Sequence, residues 1–129
     1  MIACELAANC SIDVTVTGGR IRKGYYTLKD YAAEAFLKQL HVDITFLSLD
    51  AVDSDFGCTV VNMDEVAVKQ NMIICANKVI ALCDHSKFES KAYFKICPLE
   101  KVHEFITGRE IPKNMCKNYK EKGIVITAV

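Results

Sequence analysis

Segments with strand character alternate with segments of helical period along this chain, and this alternation restricts its fold more than any other feature. Residues 79–83 read VIALC, a short continuous apolar run that is typical of a strand buried on both faces of a parallel sheet. Periodicity predicts further strands at residues 12–16, 42–49, 104–107 and 124–127, and helices at residues 27–40 and 64–76. The alternation predicts an α/β fold in which helices flank a mainly parallel sheet.

Recognisable end signals accompany the predicted helices. Thr27 and Asp30 have the Ser/Thr-x-x-acid spacing of an N-terminal cap. Asp64 opens the second helix, where its negative charge favours the positive end of the helix dipole. A last helix is predicted to begin at Pro112 and to end at Gly123, because proline suits a first turn and glycine a C-terminal end.

Composition limits the classes of protein that this chain can belong to. The 129 residues are 51% apolar and 25% charged, which predicts one folded domain spanning residues 1–129. Sixteen basic side chains balance sixteen acidic ones, so the chain lacks the basic surplus that phosphate-based nucleic-acid binding requires. No apolar stretch is long enough to cross a bilayer, and the first ten residues lack the basic start of a secretion signal. We therefore expect a cytoplasmic location and no membrane partner.

The cysteines and histidines do not form a recognisable metal or disulfide pattern. The seven cysteines are odd in number and none are spaced as C-x-x-C, so a disulfide framework or a zinc cluster is not expected. Cys58 falls in a predicted loop and is interpreted as an inert thiol, because no base stands beside it in the sequence. The three histidines have no metal-ligand spacing. We expect no metal, no cofactor and a reduced protein.

Polar residues cluster where the predicted strands end. Ligands of open parallel sheets bind beyond the carboxyl ends of the strands. Carboxylates there can accept hydrogen bonds from sugar hydroxyls, and lysines can pair with phosphate. The pattern therefore predicts a site for a small polyol that carries an anionic group. The candidate ligand-binding residues are Gly18, Gly19, Asp50, Glu65, Lys69, Asp84 and Lys87.

Each of these features also has a purely structural interpretation. The double glycine is most often an ordinary tight turn. Glu65 and Lys69 are four residues apart, and such helical pairs are usually exposed salt bridges. Residues 84–87 (DHSK) have the pattern of a cap followed by a charged turn. Residues 20–23 (RIRK) form a small basic cluster that could meet a phosphate or a partner, or simply be solvated.

Several of these segments, taken together, resemble the sensor domain of the DeoR family of bacterial transcription regulators. They are VTGGRIR at residues 16–22, FLSLDAV at 46–52, E-x-x-x-K at 65–69, ALCDHSKF at 81–88 and FITG at 105–108. Their order and spacing fit from about residue 2 to the end. The resemblance implies a fold similar to ribose-5-phosphate isomerase, glucosamine-6-phosphate deaminase and the CoA transferases. It also implies a phosphorylated sugar or a related metabolite as effector, with the family's ligand residues at Asp50, Glu65, Lys69 and Lys87 and with Gly18 and Gly19 nearby.

The chain departs from the family pattern in ways that change what we expect of it. The family's winged helix-turn-helix is absent, so contact with DNA is expected only through that domain. The first strand and phosphate loop of the sensor are absent as well, which makes this a partial sensing domain and exposes an unpaired sheet edge. We therefore expect a homo-oligomer. Ser48 and Ala51 stand near Asp50, where the family tends to have glycines.

Three functions remain open at the level of sequence. The first is a non-catalytic, effector-sensing module of a DeoR-type transcription regulator. The second is a sugar-phosphate isomerase or deaminase-like enzyme, in which Asp50 or Glu65 would exchange protons beside a lysine. The third is an oligomerisation remnant that binds no ligand. We favour the first and assign no catalytic residues.

Overall fold

Strands and helices alternate in the computed structural model, which describes residues 2–129. In chain order the elements are α1 (Ile2–Ala7), β1 (Arg20–Ile21), β2 (Leu28–Lys29), α2 (Tyr31–Leu37), β3 (Val42–Ser48), β4 (Ala51–Asp53), β5 (Gly57–Val60), α3 (Val66–Ile74), β6 (Ala76–Leu82), β7 (Phe94–Cys97), β8 (Glu104–Thr107), α4 (Lys113–Glu121) and β9 (Val125–Ala128). Single 3-10 turns occupy Met63–Glu65, His85–Lys87 and Leu99–Lys101.

Four of the strands form a parallel sheet in the order β3-β6-β8-β9. All three pairings in this sheet are parallel, and the longest aligns Val42 with Ala76 and Ser48 with Leu82. These strands agree with the predicted segments to within a few residues, because each segment is rich in the β-branched and aromatic residues that favour strands. The α/β class with a parallel sheet and flanking helices is confirmed.

A second sheet of three short antiparallel strands, in the order β4-β5-β7, was not predicted. Cys58 was predicted to lie in a loop, because Asp53, Asp55 and Gly57 precede it. In the structure only residues 54–56 form the turn, and the flanking residues pair as strands. All four residues of β5 are buried, so the strand lacks the apolar-polar alternation by which sequence patterns reveal a strand.

Two predictions for the N-terminal third are wrong. Residues 12–16 alternate like a strand, but they are irregular, since no strand within residues 2–129 pairs with them. The helix predicted over residues 27–40 spans only Tyr31–Leu37, because Leu28 and Lys29 instead pair with β1 in a two-stranded ribbon. The cap of this helix is therefore Asp30, whose carboxylate accepts a hydrogen bond from the Ala32 N–H at 3.0 Å.

The hydrophobic core includes residues from both larger sheets and from α4. Leu47, Val79 and Phe105 from the parallel sheet belong to the same buried cluster as Val60 from the second sheet and Tyr119 from α4. Aromatic rings pack edge-to-face within it, with Phe88 5.8 Å from Phe105 and 5.4 Å from Tyr119 between ring centroids. This shared core holds the loops at the carboxyl ends of β3 and β6 in fixed positions.

Candidate functional site

A cavity of about 270 Å³ lies beside the carboxyl end of β3, between α2 and α3. Apolar side chains that include Leu37, Phe46 and Met72 form much of its wall. Its polar lining consists of Thr17, Thr27, Ser48, Glu65 and Lys69. We call this space the α3 cavity. A larger groove of about 710 Å³ lies elsewhere on the molecule and contains none of the predicted ligand residues.

Glu65 and Lys69 form a largely buried charge cluster at this cavity. Their side chains are only 11% and 12% exposed, and Lys69 Nζ lies 3.4 Å from Glu65 Oε2. Lys69 Nζ also donates to the Ser48 carbonyl oxygen at 2.6 Å and to Ser48 Oγ at 3.3 Å. The interpretation as an exposed helical salt bridge is therefore wrong. Burial matters because charges shielded from water interact more strongly than exposed ones.

Arg22 completes the cluster and is the residue that sequence analysis missed. Its guanidinium donates to Glu65 Oε1 and lies 3.7 Å from the centroid of the Tyr25 ring, a cation–π arrangement. The basic run at residues 20–23 was a visible signal, but nothing local showed that Arg22 would reach a residue 43 positions further along the chain. Two cations thus surround one carboxylate, which leaves the cluster with one excess positive charge.

The double glycine directly follows Thr17, a residue of the cavity lining. Gly18 and Gly19 both have positive φ angles, of 74° and 98°. A Cβ on Gly19 would lie 2.6 Å from the Lys29 carbonyl oxygen, whereas a Cβ on Gly18 would have no neighbour within 4 Å. The turn therefore requires glycine at both positions for conformational reasons, and at Gly19 for space as well.

Alanine substitutions should separate these two requirements. We expect Gly18→Ala to lower the free energy of unfolding by about 1–2 kcal/mol, because only the left-handed conformation is penalised. Gly19→Ala should cost about 1–3 kcal/mol more, since the new methyl group also collides with backbone. Urea denaturation of the two variants measures the difference. If both variants lost the same free energy of unfolding, the collision of the new methyl group with the Lys29 carbonyl would be relieved without an energetic cost.

Asp50 lies just beyond β3, but outside the lining of the α3 cavity. Its Oδ2 accepts a hydrogen bond from the Val61 N–H at 2.8 Å, and its own N–H donates to the Thr59 carbonyl oxygen at 3.2 Å. The side chain is otherwise exposed. These hydrogen bonds connect the end of β5 to the segment that follows β3. The Asp50 carboxylate remains partly exposed to solvent.

Asp84 and Lys87 lie beyond the carboxyl end of β6, the strand adjacent to β3. Asp84 caps the turn His85–Lys87 by accepting from the Ser86 N–H at 2.9 Å and from the Ser86 hydroxyl. Lys87 Nζ is 3.9 Å from Asp84 Oδ2, and both side chains are substantially exposed. Phe88 then bridges to Val52 of β4, which places this pair on the sheet edge that also carries Asp50. Asp84 therefore caps the turn, as the structural interpretation of residues 84–87 predicted.

These hydrogen bonds should be visible in the titration of Asp84. The Ser86 hydroxyl and N–H hold the pKa of the Asp84 carboxyl below its ordinary value. A carboxyl with a lowered pKa in the folded state stabilises the fold above its unfolded-state pKa, and the contribution disappears as the pH falls through the folded-state pKa. We expect Ser86→Ala to raise the Asp84 pKa, as measured by carbon-detected NMR. An unchanged pKa would show that the hydroxyl contributes nothing.

The predicted site residues thus fall into two neighbouring groups. Glu65 and Lys69 meet in the α3 cavity, with the double glycine adjacent to its lining. Asp50 and the Asp84–Lys87 pair lie at the ends of two adjacent parallel strands. Within residues 2–129, no group of three or more His, Cys, Asp or Glu side chains is placed to hold a metal ion. No helix in that range is long and apolar enough to cross a membrane.

The fold is a parallel α/β sheet with a charged cavity beside the carboxyl end of a strand, the region where ligands of open α/β sheets bind. The chain belongs to the DeoR C-terminal sensor domain family, whose family model matches residues 1–109. The resemblance drawn from the sequence motifs is confirmed. Because this family is a sensor family, the expectation that the chain is not an enzyme is confirmed as well.

Curated relatives are transcription regulators by name. The chain is 30% identical over 122 residues to the putative sgc region transcriptional regulator of Escherichia coli (strain K12), covering 95% of this chain and 47% of the relative. It is 27% identical over 118 residues to the putative aga operon transcriptional repressor of Escherichia coli O157:H7, covering 92% and 44%. It is 24% identical over 124 residues to the L-fucose operon activator of Haemophilus influenzae, covering 96% and 49%. The chain spans about half the length of these relatives.

Proposed function

We propose that residues 1–129 form one effector-sensing domain of a DeoR-type transcription regulator, and that the effector is a phosphorylated sugar or a related metabolite bound at the α3 cavity. The observation that carries this proposal is the cluster of Arg22, Glu65 and Lys69, in which two cations surround one carboxylate in a largely buried position. An anionic ligand would balance the excess positive charge where charge-assisted hydrogen bonds are strong.

The residues of the cavity suit the parts of such a ligand. Lys69 Nζ would pair with the phosphate, and Arg22 could join it if the phosphate displaces part of its contact with Glu65. Thr17 and Ser48 offer hydroxyls to the sugar hydroxyls, and the apolar wall suits a carbon skeleton. One relative is named after an L-fucose operon, which supports a sugar-related effector.

The second group of residues would extend the site along the sheet edge. Asp50 and Asp84 present carboxylate oxygens for hydroxyl groups, and Lys87 presents an exposed ammonium. Gly18 has no side chain and open space where a Cβ would lie, so a ligand can approach its backbone closely. We further propose that operator DNA is bound by a winged helix-turn-helix outside residues 1–129, because the chain has no basic surplus of its own.

A thermal-shift screen tests the proposal directly. The chain is heated with a panel of phosphorylated sugars, each paired with its unphosphorylated form, and Lys87→Ala is run beside the wild type. A ligand present at about a hundred times its dissociation constant should stabilise the fold by about 2.7 kcal/mol. We expect a shift with a phosphorylated sugar and none with its neutral partner. The absence of any shift would mean that the chain acts as an oligomerisation module without a ligand.

We also propose that the chain associates with itself. β3 forms one edge of the parallel sheet, and Ile44 and Phe46 on this strand are about half exposed. Parallel sheets are normally covered on both faces, and an open edge strand readily pairs with another chain. Sedimentation equilibrium should therefore show a dimer or a larger oligomer at high protein concentration. A monomer across the accessible range would contradict this.

A further inference from the structure

Two buried cysteines face each other across the antiparallel sheet. Cys58 on β5 and Cys97 at the end of β7 are Cα partners, so their side chains lie on the same face of the sheet. Cys58 is 0% exposed and Cys97 is 6% exposed. Cys58 was interpreted as an inert loop thiol from the sequence. The structure instead places it in a strand with a second thiol directly opposite.

Close packing of the two strands brings these cysteines together. Gly57 has a φ angle of 98°, and a Cβ at this position would lie 2.5 Å from the Cys97 carbonyl oxygen. The absence of a side chain therefore lets β5 approach β7 next to Cys58. The strand register shifts between Cys58 and Thr59, but Cys58 and Cys97 remain directly opposite each other. Directly opposite Cα atoms in antiparallel strands are separated by about 4.5–5.5 Å. This separation lies within the range of about 4.4–6.8 Å over which disulfides form.

One of the two cysteines lines the larger groove. Cys97 belongs to its lining, together with Pro98, Lys101 and His103. Cys58 is absent from this lining and is fully enclosed by the core. A reagent that enters the groove would therefore meet Cys97 first, and Cys58 would be the second partner.

The surroundings of the two cysteines shift their pKa values in opposite directions. The neighbouring Cys58 thiol, together with the positive charges of Lys95 and Lys101, lowers the pKa of Cys97 despite its burial. The neighbouring Cys97 and the complete burial of Cys58 raise the pKa of Cys58. The thiolate is the nucleophilic form of cysteine. The position of Cys97 in the groove lining makes it the cysteine that a reagent reaches first, and its lowered pKa agrees with that role.

We propose that Cys97 and Cys58 form a modification site for hydroperoxides, in which Cys97 is oxidised first and Cys58 then closes a disulfide. The Cys97 thiolate attacks the terminal peroxide oxygen, so an S–O bond forms and the O–O bond breaks. The leaving oxygen takes a proton from water, and Cys97 becomes a sulfenic acid. The Cys58 sulfur then attacks the Cys97 sulfur and displaces hydroxide, which takes the Cys58 proton and leaves as water. The peroxide gains the two electrons that the sulfur pair loses.

Mass mapping of the oxidised chain tests this assignment. The fully reduced, folded chain is treated with hydrogen peroxide, its remaining thiols are alkylated, and its proteolytic peptides are identified. We expect a linked peptide pair containing Cys58 and Cys97, with the loss of two hydrogens and of alkylation at both residues. A chain unfolded in urea before oxidation should give mixed linkages, since the pairing depends on the fold.

Variants separate the two steps. In Cys58→Ser, the reaction should stop at a Cys97 sulfenic acid that a cyclic dione captures, whereas Cys97→Ser should leave Cys58 unmodified. Cys75→Ser is the matched control, because Cys75 is also buried but its thiol donates to the Met72 carbonyl oxygen rather than facing a cysteine. If a variant fails to fold, the peptide map of the oxidised wild-type chain still tests whether Cys58 and Cys97 form a disulfide. Oxidation of the exposed Cys4 and Cys10 while Cys58 and Cys97 stay reduced would overturn the proposal.

Discussion

Replacing Phe105 by alanine should lower the free energy of unfolding by about 3–5 kcal/mol, the largest loss that we expect of a single substitution. Phe105 is fully buried on β8, and its ring packs edge-to-face against Phe88, which in turn packs against Tyr119. Removal of the ring leaves a cavity among residues that belong to three different parts of the chain. Urea denaturation monitored by circular dichroism measures the loss.

Tyr93→Ala provides the matched control for this experiment. Tyr93 also forms an edge-to-face aromatic pair, with Phe94, but its side chain is exposed. We expect its removal to change the stability by no more than about 0.5 kcal/mol, as is usual for surface substitutions. If Phe105→Ala were as mild as Tyr93→Ala, the packing of the two sheets around β8 would have to be different from that described above.

Lys69→Met should weaken the binding of a phosphorylated effector by about 10- to 100-fold, because a charge-assisted hydrogen bond contributes about 1.5–3 kcal/mol. Methionine keeps much of the length of the side chain and its apolar contacts but removes the ammonium that faces Glu65 and Ser48. Isothermal titration with the sugar phosphate found in the thermal screen measures the dissociation constant.

Lys117→Met serves as the charge-matched control, since Lys117 is an exposed lysine of α4 that pairs only loosely with Glu121. The dissociation constant of this variant should equal that of the wild type. Circular dichroism spectra should show that both variants are folded. If Lys69→Met and Lys117→Met bound the effector equally well, the ligand would have to lie outside the α3 cavity, with the Asp50 and Lys87 edge as the next place to search.

Local sequence patterns were sufficient for the parallel sheet and for the family. The apolar run at residues 79–83 marks β6, and Pro112 and Gly123 bracket α4, because burial on both faces and helix ends leave signals within a few residues. The prediction failed for residues 12–16, where alternation was present but no strand in the described part of the chain pairs with them. A strand needs a neighbour, and that condition is not contained in its own sequence.

The candidate site was only half predictable, for the same reason. Sequence spacing placed Glu65 and Lys69 together, since residues four apart share a helix face. It could not show that their side chains are buried, nor that the ribbon of β1 and β2 carries Arg22 to Glu65. The strengths of these interactions depend on exclusion of water, which several distant segments bring about together.

The sequence by itself therefore determined the α/β class, the order of the parallel strands' segments along the chain and the family, because these depend on short-range periodicity and on motifs. The tertiary structure alone decided which charges meet in the α3 cavity and that Cys58 faces Cys97. Those contacts join residues far apart in the chain. Their formation depends on how the antiparallel sheet and the ribbon pack against the parallel sheet, which no local pattern encodes.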